Sequence, residues 1–170
     1  MERMEMDVLM IRVSACMNSG RFAEARRLLE TVLEEEPSHG VAHGMLGWMC
    51  WSLMDDHERA LVHFRNAVRW APGHLNSWLH YLNLLAGDGL ADELREAYGR
   101  ALNVAGLDRA EVHGIVGRYL ERTGQHEQAL GVYRNALRAA VTNAAECEFR
   151  AAIARVRRRV RRVRWGRVFG

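Results

Sequence analysis

The residues best able to do chemistry in this sequence are eight histidines, three cysteines and a concentration of arginine towards one end. His39 and His43 stand four apart, the spacing that sets two imidazoles on one side of a helix. A zinc site needs three or four ligands, and this pair lacks an HExxH pattern or an acid at ligand spacing. His57, His63, His74, His80, His113 and His126 are scattered. Cys16, Cys50 and Cys147 are odd in number, far apart and without CxxC spacing, so they read as reduced core residues. No glycine-rich phosphate loop, GxSxG elbow or Cys-His pairing stands out. The expectation is no catalytic residue, no metal and no cofactor: a non-enzyme.

All 24 basic residues are arginine, and they are unevenly spread. Residues 151–170 hold eight arginines and no acid, whereas residues 1–154 hold 16 arginines against 21 acids, so the net +3 hides an acidic body and a basic tail. The tail arginines are Arg155, Arg157, Arg158, Arg159, Arg161, Arg162, Arg164 and Arg167. On one helix they would suit nucleic-acid phosphates, an anionic membrane surface or an acidic protein. Equally, they would solubilise the outer face of a capping helix, and both readings stay open. Trp165 and Phe169 add only two aromatics, too few for a single-strand stacking surface.

The elements that hold these residues follow from composition and punctuation. The chain has 170 residues, 49% of them apolar, and only two prolines, in a background of Ala, Leu, Glu and Arg. That mixture predicts an all-α chain in a single unit. Acidic residues near the N-terminus and the lack of an apolar stretch of about 18 residues point to a cytoplasmic protein with no transmembrane segment.

Pro37 and Pro72 lie 35 apart and invite a search for a period. Four copies align, from Gly20, Asp56, Gly89 and Gly124. Their second helices place small or apolar residues at Ala25, Ala60, Leu94 and Ala129, large ones at Leu29, Phe64, Tyr98 and Tyr133, and a third set at Val32, Ala67, Ala101 and Ala136. Spacings of four and three put each set on one helical face. In the first helices Leu46-Gly47, Tyr81-Leu82 and Val116-Gly117 fill a crossing where a small residue allows close approach, with Cys16, Cys50, Leu85 and Leu120 one turn on. Phe149, Ile153, Val156, Val160 and Val163 then form one apolar stripe that would lid the last pair.

These residues resemble the tetratricopeptide repeat family, whose unit is about 34 residues of helix, turn, helix. The resemblance implies an α-solenoid: a right-handed superhelical array of about four repeats, near residues 6–39, 40–73, 75–108 and 110–143, with a basic amphipathic capping helix and tail over 144–170. This sequence departs from the pattern at Val13, at Leu94, and by one extra residue between Met54 and Asp56.

Carried over by position, the family's binding groove falls on Met10, Ser14, Met17 and Asn18, on Trp48, Trp51 and Ser52, on Leu79 and Asn83, and on Arg118, Glu121 and Arg122. Met and Trp suit an apolar anchor of a peptide, and Arg118 with Arg122 would suit a carboxylate. Met10 and Ser14 stand where a terminal-carboxylate clamp would need a basic residue and Asn, so chaperone-tail binding is not implied. The resemblance implies a bacterial protein-protein interaction module or adaptor that binds a partner protein or peptide. The alternatives are a secretion chaperone, or a protein that binds nucleic acid, an acidic partner or an anionic surface through the tail. Self-association into a homo-oligomer also stays open.

Overall fold

Good helix formers at helical spacing, broken by Gly and Pro at fixed intervals, favour one local solution, and the computed structural model of the chain adopts it throughout. The structure describes the backbone of residues 3–169 and the side chains of residues 4–162. Val163, Arg164, Trp165, Arg167 and Phe169 therefore lie outside the described side chains. Among the described residues there are nine α-helices and no strand: α1 (Arg3–Asn18), α2 (Phe22–Glu35), α3 (Gly40–Met54), α4 (His57–Trp70), α5 (Leu75–Asp88), α6 (Ala91–Ala101), α7 (Arg109–Arg122), α8 (His126–Ala139) and α9 (Asn143–Phe169). Among the described residues no helix is long and apolar enough to cross a membrane.

Where a single unit was expected, the chain divides into two compact units, Met1–Leu84 and Leu85–Gly170. The reason lies in repeat architecture, since each helical pair packs only on its neighbours and no central core ties the whole chain together.

The turns inside each pair are built alike. Gly20, Gly89 and Gly124 have φ of 72°, 75° and 78°, and the next residue donates its N–H to a carbonyl five back: Arg21 to Cys16, Leu90 to Leu85, Gln125 to Leu120. In the second turn the left-handed residue is Asp55, at φ 53°, and Asp56 donates to Cys50, six back. The extra residue near Met54 to Asp56 is absorbed there. Between pairs, the residue six beyond each proline reaches back to it. His43 donates from Nε2 to the Pro37 carbonyl at 3.0 Å, and Trp78 donates from Nε1 to the Pro72 carbonyl at 2.8 Å.

In the first unit Val13, Leu29, Val32, Ala42, Leu46 and Met49 form a buried cluster. A Cβ added to Gly47 would lie 2.8 Å from the Phe64 ring, so the glycine is what lets that ring seat against α3. In the second unit Gly117 plays the same part, with a hypothetical Cβ 2.6 Å from the Tyr133 ring. Phe149, Ala152, Ile153 and Val156 of α9 are buried, and Val160 is half-buried. Tyr133 and Phe149 have ring centroids 6.4 Å apart. One expectation fails: Cys16 and Cys50 are buried, but Cys147 is exposed, because it lies on the side of α9 opposite Phe149 and Val156.

Candidate functional site

In the first unit the positions picked out on α1, α3 and α5 form a surface that is apolar yet incompletely covered. Met10 and Met17 are half-buried against the cluster around Val13, and Ser14 and Asn18 are exposed. The Ser14 hydroxyl donates to the Met10 carbonyl at 3.0 Å. On α3, Trp48 and Trp51 are both half-buried and Ser52 is exposed. Trp48 tilts against Phe22 with centroids 6.0 Å apart, and Trp51 against His80 of α5 at 5.9 Å. Leu79 and Asn83 are half-buried on α5. The Asn83 amide donates to the Leu79 carbonyl at 2.9 Å, which uses one N–H and leaves its oxygen able to accept. Beside the Trp48–Phe22 contact an open cleft of about 460 Å³ is lined by Phe22, Met49, Leu53 and Met54, with Arg26 and Glu30 paired at 2.7 Å on its wall. Sequence pattern did not reveal that cleft, because it forms between α2 and the far end of α3.

Arg118 and Arg122 belong to the second unit and already have partners inside the chain. Arg118 pairs with Glu148 at 3.6 Å, both half-exposed. Arg122 donates to the carbonyls of Ala86 and Gly87, in the last turn of α5, where a cation offsets the negative end of the helix dipole. The two arginines do not form an empty carboxylate clamp.

Glu121 is the second unit's main polar junction. It is 8% exposed, accepts from Nε and Nη2 of Arg155 at 2.8 Å each and from the Tyr133 hydroxyl at 3.1 Å, and forms an ion pair with Arg159 at 3.2 Å. The Arg155 hydrogen bonds, with a smaller contribution from Tyr133, hold its carboxyl below the usual range. Burial and the facing carboxylate push Tyr133 up to about 12. Two tail arginines are thus fasteners between α9 and α7. Arg157, Arg158, Arg161 and Arg162 are exposed on the rest of α9.

The histidine pair noted for its helical spacing is committed elsewhere. His39 Nδ1 accepts from the Ala42 N–H at 3.1 Å and caps α3. His43 Nδ1 lies 2.9 Å from His63 Nδ1. Since His43 carries its proton on Nε2 towards the Pro37 carbonyl, neutral His43 accepts at Nδ1 and His63 donates. Among the described residues no group of three or more His, Cys, Asp or Glu side chains could hold a metal ion.

No protein-family model matches the sequence, and among curated proteins none matches it. Solved structures match its architecture. PilF of Pseudomonas aeruginosa superposes with a TM-score of 0.73 at 18% identity, over 92% of this chain and 69% of PilF. YrrB, described as a TPR protein with an unusual peptide-binding site, gives 0.67 at 16% identity, over 82% of this chain and 71% of YrrB. TTC0263, a thermophilic TPR protein of Thermus thermophilus, gives 0.61 at 18% identity, over 84% of this chain and 78% of that protein. Identities this low speak for architecture alone: the chain has the tetratricopeptide-repeat fold.

Proposed function

We propose that the chain is a protein-interaction module that holds a segment of another protein on the α1, α3 and α5 face of its first unit. The observation behind this reading is the half-buried series Met10, Met17, Trp48, Trp51 and Leu79. Each of these side chains has one side packed on the protein and the other offered to solvent. Large apolar side chains held that way give contact area at little entropic cost, the character of an anchor pocket. Ser14, Ser52 and Asn83 supply hydroxyl and amide groups that can bond a peptide backbone. The peptide-binding site named for the structurally similar YrrB agrees with this reading.

The test is selection of binders from a random peptide library, repeated with Trp48→Ala and Trp51→Ala. Peptides should carry an apolar anchor, hold through about 0.5 M salt, where surface charge is well screened, and lose at least ten-fold in affinity with either substitution. Binders indifferent to both tryptophans would remove the proposal.

A second reading places an anionic partner on α9. It draws on the four exposed arginines Arg157, Arg158, Arg161 and Arg162, whose binding would weaken steeply with salt.

A further inference from the structure

The first helix carries apolar residues on two opposite faces. One face is core: Val13 and Cys16 are buried. The other is a stripe of Met4, Val8 and Ile11, 76%, 52% and 68% exposed, continued by exposed Ala15. Spacings of four, three and four keep it on one side of α1.

The later first helices show what this stripe is built for. In the repeat register Val8 corresponds to Ala42, Ser77 and Val112, and Ala15 corresponds to Met49, Leu84 and Tyr119; all six are buried. On α3, Ala42 and Met49 share a buried cluster with Val13, Leu29 and Val32 of the preceding pair, and on α5 Ser77 lies against Gly44 of α3, so these positions receive the neighbour on the N-terminal side. On α1 nothing among the described residues occupies that place.

We infer that the stripe is met by the same stripe of a second copy, with the two α1 helices antiparallel about a two-fold axis. The flanking charges favour this occupant. Glu5 and Arg12 are both exposed and seven apart, so they share one flank of the stripe. In an antiparallel pair each flank faces its own counterpart, and Glu5 of one copy comes against Arg12 of the other, twice by symmetry. A parallel pair would instead oppose Glu5 to Asp7, two like charges. Head-to-tail stacking of α9 on α1 is disfavoured, since the exposed side of α9 presents Arg157, Arg158, Arg161 and Arg162 and gives the apolar stripe no match.

A single helix pair is at the small end of interface sizes, so the dimer should be concentration-dependent. Sedimentation equilibrium on the full chain over a micromolar range should show the mass rising from 19.4 kDa towards about twice that. Ile11→Glu, at an exposed position, should return it to the monomer with unchanged helicity. Glu5→Arg and Arg12→Glu should each weaken self-association, by roughly ten-fold, and an equimolar mixture of the two variants should recover it through complementary heterodimers. A chain that stays monomeric throughout, a dimer indifferent to Ile11→Glu, or a mixture no tighter than either variant alone would each overturn the inference.

Discussion

His43 and His63 illustrate how burial makes a pH dependence out of two ordinary residues. Burial lowers the His63 imidazole to about 4, helped by His43 and by Arg59. His43 is also lowered, chiefly by burial, against a smaller upward pull from the Pro37 carbonyl. Unfolded, both return to about 6.5. The folded state therefore favours the neutral pair, so their contribution to stability is whole above about pH 6.5 and is lost as pH falls from there towards 4. Glu121 acts in a lower window. Its folded carboxyl titrates below the unfolded value of about 4.3, so its contribution persists to that point and fades further down. Melting temperature should thus decline between pH 6.5 and 4.5 before the carboxylates respond. Burial lowers His74, His80 and His113 as well, so His63→Gln, which keeps an amide donor for His43 but does not titrate, should make that decline shallower without abolishing it. An equal slope in the variant would show that the pair does not set it.

At the scale of helices, the α7–α8 pair contains its own control. Gly117 and Gly131 are both helical glycines, but a Cβ on Gly117 meets the Tyr133 ring at 2.6 Å and a Cβ on Gly131 meets nothing within 4 Å. Gly117→Ala should destabilise by about 1–3 kcal/mol through overpacking. Gly131→Ala should stabilise by about 0.5–1 kcal/mol through helix propensity. Thermal melts of the two variants should move in opposite directions, and parallel shifts would mean that the crossing is not set by the ring. This crossing was legible in the sequence because Gly47 before Phe64, and Gly117 before Tyr133, recur at nearly the same separation, 17 and 16 residues, the difference being the extra residue near Met54 to Asp56. The cap was legible for the same reason, through the spacing of Phe149, Ile153 and Val156. Glu121 was not legible as a junction: an acid at helical spacing reads as solvent-facing, and its partner Arg155 is 34 residues away. Nor did the pattern show that Met4, Val8 and Ile11 are uncovered, since an apolar stripe looks the same with or without a neighbour. On the candidate face the sequence marked the positions of Trp48 and Trp51, while their contacts with Phe22 and His80 depend on how three helices meet.

For the molecule as a whole, the separation of an acidic body from a basic tail suggests removing the tail, but the junction at Glu121 makes that a poor experiment. Ending the chain before Arg155 would take Arg155 and Arg159 from a buried carboxylate and leave it only the Tyr133 hydroxyl. Losing charged hydrogen bonds of this kind costs about 1–3 kcal/mol, here at the lower end because the arginines are half-exposed. A truncated chain would then lose binding through partial unfolding as readily as through lost charge. Replacing Arg157, Arg158, Arg161 and Arg162 with Gln separates the two effects, because these side chains are exposed and Arg155 and Arg159 stay in place. Net charge would move from +3 to −1, a change of four. The full chain should be retained on heparin at low salt and released as salt rises, and the four-fold variant should elute much earlier with its melting temperature within about 2 °C. Arg155→Gln should do the reverse: near-normal retention and a melting temperature lower by roughly 2–4 °C for each kcal/mol lost. If the two variants behaved alike, the division of α9 into an inner fastening edge and an outer cationic face would be wrong.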